Sequence, residues 1–210
     1  MKILLYAITV ISIFVSCEET ENPNQYFTKI IGIQPLGSVD SKLLDTVNHS
    51  LQLFYGYEVI TLPKLELPES AFINVKTPRF RADSIIRLLK KIKPDSINYI
   101  IGITEKDIST TKRDKNGNVK KPISKYEDFG IFGLGFCPGN SCVVSTFRYQ
   151  KNKTKLLDRI TKISSHEIGH NLGLKHCPNT DCVMQDAAEK ISTIDNVKMK
   201  LCKECQNKIK

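Results

Sequence analysis

The chain has 210 residues, 40% apolar and 25% charged, with a formal net charge of +9. That length and balance suit one soluble globular domain, alone or with a small appendage, and no repeat at a solenoid period is visible. The lysines are scattered rather than gathered in one stripe, so the charge reads as surface solubilisation and no nucleic-acid partner is expected.

Met1-Lys2 precedes an apolar run from Ile3 to Val15, then Ser16-Cys17 and the acidic Glu18-Glu19-Thr20-Glu21. A basic start, an apolar run too short to span a bilayer and a small residue at its end read as a signal peptide over residues 1–16. Cys17, directly after the run, resembles the modified cysteine of a bacterial lipoprotein signal. This implies lipidation at Cys17, a tether over residues 17–27, and an exported protein anchored to a bacterial membrane in the periplasm or at the cell surface.

Thr28 to Gln34 is β-branched and apolar, which predicts a first strand. Leu43, Leu44, Val47, Leu51 and Phe54 fall at helical spacing over Asp40 to Phe54, with Gly56 as the stop. Tyr57 to Leu62 reads as a second strand, and Pro63, Pro68 and Pro78 mark a long connection. Ala82 to Ile92 repeats the helical pattern up to Pro94. Ile97 to Thr104 is almost wholly apolar, as a strand covered on both faces should be.

Glu105 to Asp128 is polar and lysine-rich, so a surface loop is expected. Asp114 to Asn118 lacks the Gly and the bidentate Glu of a calcium loop and reads as an Asn-Gly turn. Phe129 to Phe136 and Cys142 to Phe147 read as two strands joined by turn residues Pro138 to Ser141. Lys153 to Leu172 is a predicted helix, followed by an irregular tail that turns helical from about Thr193. Taken together, the order predicts an α/β layer with a small C-terminal part.

The predicted helix carries His166-Glu167-Ile168-Gly169-His170, and Gly173 and His176 follow. Histidines four apart project from one helix face, one turn from each other, which suits two imidazoles sharing a tetrahedral metal. Glu167, beside the first ligand, can reach a metal-activated water without being a ligand itself. Gly173 permits the bent backbone that would bring His176 round as a third ligand. Three protein nitrogens leave one position open, as in a catalytic rather than a structural zinc site. Of the chain's four histidines only His49 lies outside this window, and it reads as structural or solvent-facing.

Cys177, Cys182, Cys202 and Cys205 follow the motif, with a two-residue gap in the last pair. They could hold a second, four-coordinate zinc, pair as disulfides or remain free thiols. Cys137 and Cys142 flank the hairpin turn. There they could form a cross-strand disulfide or pack as two small apolar residues.

HExxHxxGxxH, followed by Cys177, Cys182, Met184, Cys202 and Cys205 at these spacings, resembles the archaemetzincins, a family of the metzincin clan of zinc peptidases. The resemblance extends upstream through Leu62-Pro63, Leu67-Pro68, Ala71-Phe72, Gly102-Ile103-Thr104 and Val143-Val144-Ser145. It implies a metzincin-like mixed twisted sheet with an active-site helix, in a catalytic part over residues 28–173 and a zinc-binding C-terminal part over residues 174–210. His166, His170 and His176 would bind a catalytic zinc, with Glu167 as the base. The four late cysteines would bind a structural zinc, making two zinc ions per chain, and Met184 would lie in a tight turn beneath the site. A monomer acting on a peptide or protein substrate is expected. The competing reading is a catalytically silent, zinc-bearing lipoprotein that only binds peptides; such a binder has no need of a base at Glu167.

Overall fold

Strands alternate with helices through the described residues, 29–187 and 190–209 of a computed structural model. The leader-like run, Cys17 and the expected tether lie outside them. β1 (Ile30–Pro35), α1 (Ser41–Tyr55) and β2 (Glu58–Thr61) fall where the apolar patterning places them. Asp40 caps α1 by accepting the Leu43 N–H at 3.2 Å, and Gly56 ends it with φ 65°.

The proline-marked connection contains more order than its composition suggests. β3 (Phe72–Asn74) and β4 (Pro78–Arg81) form a hairpin before α2 (Ala82–Ile92) and β5 (Tyr99–Thr104). The segment read as a surface loop holds β6 (Ile108–Thr110) and a single helical turn, α3 (Ile123–Tyr126). Strands of three or four residues are too short to show a period-2 pattern against flanking prolines and lysines. The Asn-Gly turn is present: the Gly117 N–H donates to Asp114 O at 3.1 Å.

The single strand expected over Phe129 to Phe136 is two. β7 (Phe129–Ile131) pairs antiparallel with β6, and β8 (Gly133–Gly135) pairs antiparallel with β9 (Ser141–Ser145). Phe132 is the hinge between them, its carbonyl accepting the Ser145 N–H at 2.8 Å. The chain therefore belongs to two sheets: a mixed one in the order β2-β1-β5-β9-β8, antiparallel only at β8, and a small one in the order β3-β4-β6-β7.

The larger sheet is covered on both faces. Ile101, Ile103, Cys142 and Val144 pack with Val47 and Leu51 of α1 and with Ile160 and Ile168 of α4 (Leu156–Asn171). Alternate residues Ile100 and Val143 pack on the other face with Ile85, Ile86 and Leu89 of α2. Two-sided burial is the physical reason the central strands read as continuous apolar runs. A third, smaller cluster joins Leu174, Val183, Met184 and Leu201 to Cys177, Cys182 and Cys205, and the later chain also holds α5 (Ile191–Asn196) and α6 (Lys203–Lys208).

The β8–β9 register sets Gly135, not Cys137, opposite Cys142. Cys142 is buried and Cys137 exposed, and both thiols are free. The cross-strand disulfide allowed for this pair is thus not formed, because the turn is longer than the four residues between the cysteines.

Candidate metal centre and cleft

α4 carries the first half of the site. His166 and His170 stack edge to face with ring centroids 4.6 Å apart, one helical turn separating them. Each Nδ1 meets a backbone carbonyl: His166 donates to Val183 O at 2.8 Å and His170 to Leu174 O at 2.7 Å. A carbonyl only accepts, so Nδ1 of each ring carries the proton and Nε2 keeps its lone pair for a ligand. Burial pushes the pKa of His166 down to about 3 and lowers that of His170, so both rings are neutral at pH 7, as metal binding requires.

The third histidine arrives because the helix ends where it does. Gly173 takes φ 91°, a left-handed conformation that a side chain would strain, and its N–H donates to His170 O at 2.9 Å. The Leu174 N–H closes back on Gly169 O at 2.9 Å. His176 then faces the other two rings at 5.4 and 5.0 Å between centroids, so that one ligand nitrogen from each of the three lies within 4.8 Å of the others. His176 is exposed, with Nδ1 3.4 Å from Asp186 Oδ2. Three imidazoles converging on one point, with the Nε2 lone pairs of His166 and His170 free, fit a zinc ion and leave a position open.

Glu167 lies against β8. Its carboxyl is so confined that a Cβ on Gly133 would stand 2.6 Å from Oε1, and one on Gly135 3.3 Å from Oε2. Burial raises its pKa to about 8, against a smaller opposing pull from the Lys112 ammonium. A bound dication nearby would favour the carboxylate form. Asn171, one turn further along the same face, donates through Nδ2 to Phe136 O at 2.9 Å and Ser141 O at 3.0 Å. It ties the helix to both sides of the turn between β8 and β9.

Met184 sits in the turn closed by the Gln185 N–H donating to Cys182 O at 2.9 Å. It is fully buried with Sδ against Gly169, where any Cβ would collide with it, and the Tyr55 hydroxyl donates to Ser165 O at 2.6 Å on the same side. The adjacent Val183 carbonyl is the one that orients His166.

The four late cysteines converge as well. Their sulfurs all lie within 4.8 Å of one another, and Cys177 Sγ is 3.7 Å from Cys202 Sγ. Tetrahedral ligands about 2.3 Å from zinc are roughly 3.8 Å apart, whereas a disulfide needs about 2.05 Å. The spacing fits metal ligation, and the cysteines are free. The Cys205 N–H lowers the Cys202 pKa to about 7, which favours the thiolate a metal would bind.

A cleft of about 620 Å³ runs past the three histidines and Glu167. The structure gathers the residues expected at the two sites, and Cys17 lies outside the described residues. It adds Asn171, Asp186, Gly133 and Lys112, which sequence reading passed over. Asn171 stands four residues after Glu167, a spacing that marks it as a neighbour on the same face; nothing in the polar stretch around Lys112 signals its part in the cleft.

The family model of peptidase family M54 matches residues 27–210. The archaemetzincin of Archaeoglobus fulgidus is 32% identical over 181 residues, 86% of this chain and 98% of that protein. That of Haloquadratum walsbyi is 29% identical over 84% of this chain and 96% of its own length. The crystal structure of the Archaeoglobus fulgidus protein, complexed with malonate, superposes with a TM-score of 0.68 at 30% identity, covering 86% of this chain and 99% of that one. The Methanopyrus kandleri archaemetzincin shares the fold, with a TM-score of 0.70 at 23% identity over 86% of this chain and 93% of that one.

These relatives correct the expectation of an exported protein lipid-anchored to a bacterial membrane. They are archaeal proteins, and the matched region starts after the leader-like run. Among the described residues no helix is long and apolar enough to cross a membrane.

Proposed function

Because the chain belongs to peptidase family M54, together with the archaemetzincins, and is a zinc metallopeptidase, we propose that it hydrolyses peptide bonds at the three-histidine centre with Glu167 as general base. The observation that carries this is the placement of Glu167, outside the histidine set yet buried between α4 and the edge strand β8. His166, His170 and His176 would hold the catalytic zinc. Cys177, Cys182, Cys202 and Cys205 would hold a second, structural zinc, for two per chain. The catalytic zinc, when bound, supplies Lewis acidity, polarising the scissile carbonyl and making water easier to deprotonate.

The protein's own groups do the rest. The Glu167 carboxylate takes the proton of the attacking water and passes it to the leaving amine. Val183 O and Leu174 O hold the two helix histidines in the required tautomer. Gly133 and Gly135 let the substrate backbone and the Glu167 carboxyl share a narrow space. Among the described residues β8 pairs on one edge only, with β9, so a peptide can add along its other edge.

The test is a peptide mixture followed by mass spectrometry with zinc-loaded wild type, with chelator-treated protein and with Glu167→Gln. Removing a positioned base should cost about 10²–10⁴-fold in turnover while zinc content stays unchanged. Wild-type turnover by the Gln variant would exclude Glu167 as the base, and no cleavage by the wild type would leave a peptide-binding protein.

A further inference from the structure

Two of the three histidines at the metal centre are tied to the segment that carries the cysteines. His166 Nδ1 donates to Val183 O at 2.8 Å, and Val183 stands between Cys182 and Met184. His176 is joined directly to Cys177. The Cys177 N–H donates to Met184 O at 2.8 Å and the Val183 N–H to Lys200 O at 2.9 Å, while the Cys202 N–H reaches Cys182 Sγ at 3.3 Å. The Val183 carbonyl, the chain at His176 and the cysteines therefore share one hydrogen-bonded frame. His170 is held differently. Its acceptor, Leu174 O, precedes the first of these cysteines, and the Leu174 N–H is fixed by Gly169 O at 2.9 Å on α4 itself.

The apolar core of that frame is small. Three of its seven buried members are Cys177, Cys182 and Cys205. α5 and α6 have six residues each, well below the about 12–15 at which a helix becomes even marginally stable by itself. The four sulfurs, all within 4.8 Å of one another, are thus the strongest available fastening for this part of the chain. At a closed thiolate site the free energy of metal binding becomes free energy of folding.

We propose that the cysteine cluster positions His166 and His176, so that closing it tightens the histidine centre, whereas His170 is held independently of it. This rests on the two-site reading above and adds a linkage between the sites. Losing the group that orients a metal-binding histidine costs about 10–100-fold in metal affinity. The coupling is reciprocal: whatever factor the closed cluster adds at the histidines, an ion on the histidines adds at the cluster.

The experiment uses the full chain stripped of metal, with metal ions alone as probes. One equivalent of cadmium, a softer ion than zinc, is added to close the cysteine cluster, and thiolate absorption in the ultraviolet reports its place. Zinc affinity of the histidine centre is then measured by chelator competition, with and without cadmium. The cadmium-loaded protein should hold that zinc at least about tenfold more tightly. Before zinc is added, ring N–H signals in NMR spectra should show the His166 Nδ1 proton becoming protected from exchange when cadmium binds, and the His170 proton protected throughout. C202S, which leaves residues 176–185 unchanged, should still fill its histidine centre in excess zinc but show neither gain. L89A, a cavity variant in the α2 cluster, should melt lower and keep both gains, which separates positioning from general loss of stability. If C202S does not fold, the cadmium comparison on the wild type decides alone. Equal zinc affinity with and without cadmium, with His166 unchanged, overturns the linkage and leaves the two-site reading standing. No thiolate absorption, or never more than one ion per chain, removes the two-site reading and the linkage with it. Peptide cleavage is not read, so failure of the peptidase reading would show only in the peptide assay above.

Discussion

Gly133→Ala is the sharpest probe of how the fold serves the chemistry, because the backbone there is not in a left-handed conformation and accepts alanine. The added Cβ would stand 2.6 Å from Glu167 Oε1 and 2.8 Å from its Cγ, where ordinary contact begins near 3.4 Å. The shortfall is 3.4 − 2.6 = 0.8 Å, and Glu167 is too confined to absorb it without moving. A misplacement of about 1 Å at a reacting group costs about 10²-fold. kcat/KM on a good peptide should therefore fall about a hundredfold, equivalent to about 2.7 kcal/mol of transition-state stabilisation. The three atoms nearest the new methyl all belong to Glu167 and none to a histidine, so zinc at that site should stay at one ion. Overpacking should cost about 1–3 kcal/mol of stability, readable as a lowered Tm. The decisive assay is a double-mutant cycle with Glu167→Asp, whose shorter side chain makes room for the methyl. The two losses should be clearly less than additive. Wild-type kcat/KM in Gly133→Ala, or strict additivity, would refute the claim that β8 positions the base.

Cys202→Ser should release one zinc of an expected two and loosen the tail while the histidine-bound zinc remains, because binding free energy at a closed thiolate site is folding free energy; metal analysis with thermal melting checks it. Tyr55→Phe deletes the hydroxyl that donates to Ser165 O in a buried setting, and should cost about 1 kcal/mol in denaturant unfolding. Asp195 is held by Arg159 at 2.7 and 2.9 Å and by Lys155 at 3.0 Å, chiefly the Arg159 hydrogen bonds lowering its pKa from 3.8 to about 2. A depressed carboxyl pKa contributes stability that is full above about pH 4 and lost as pH falls toward 2, a contribution of about 2 kcal/mol. Acid melting of wild type and Asp195→Asn should differ in that window: the wild type loses this part of its stability between pH 4 and 2, and the variant, already less stable above it, does not.

The candidate metal centre was legible in the residues because its parts are local. A four-residue histidine spacing needs only a helix, and a glycine three residues later needs only a turn, so His166, His170, Glu167, Gly173 and His176 announce themselves within one short window. The central strands and α1, α2 and α4 were legible for the same reason: apolar repeats long enough to show their period. Which strands pair, and what lines the cleft, depends on contacts between distant parts of the chain. Phe129 to Phe136 reads as one strand, yet it divides at Phe132 because β6 claims one half and β9 the other. Cys137 and Cys142 look opposed across a turn, yet the register puts Gly135 there. Lys112 and Lys125 read as solvated loop and come to line the cleft, and Glu167 acquires its raised pKa only when β8 closes over it. Periodicity and spacing along the chain carry the chemistry of the ligands; burial and long-range pairing, which local sequence does not encode, decide the shape and charge of the space in which that chemistry happens.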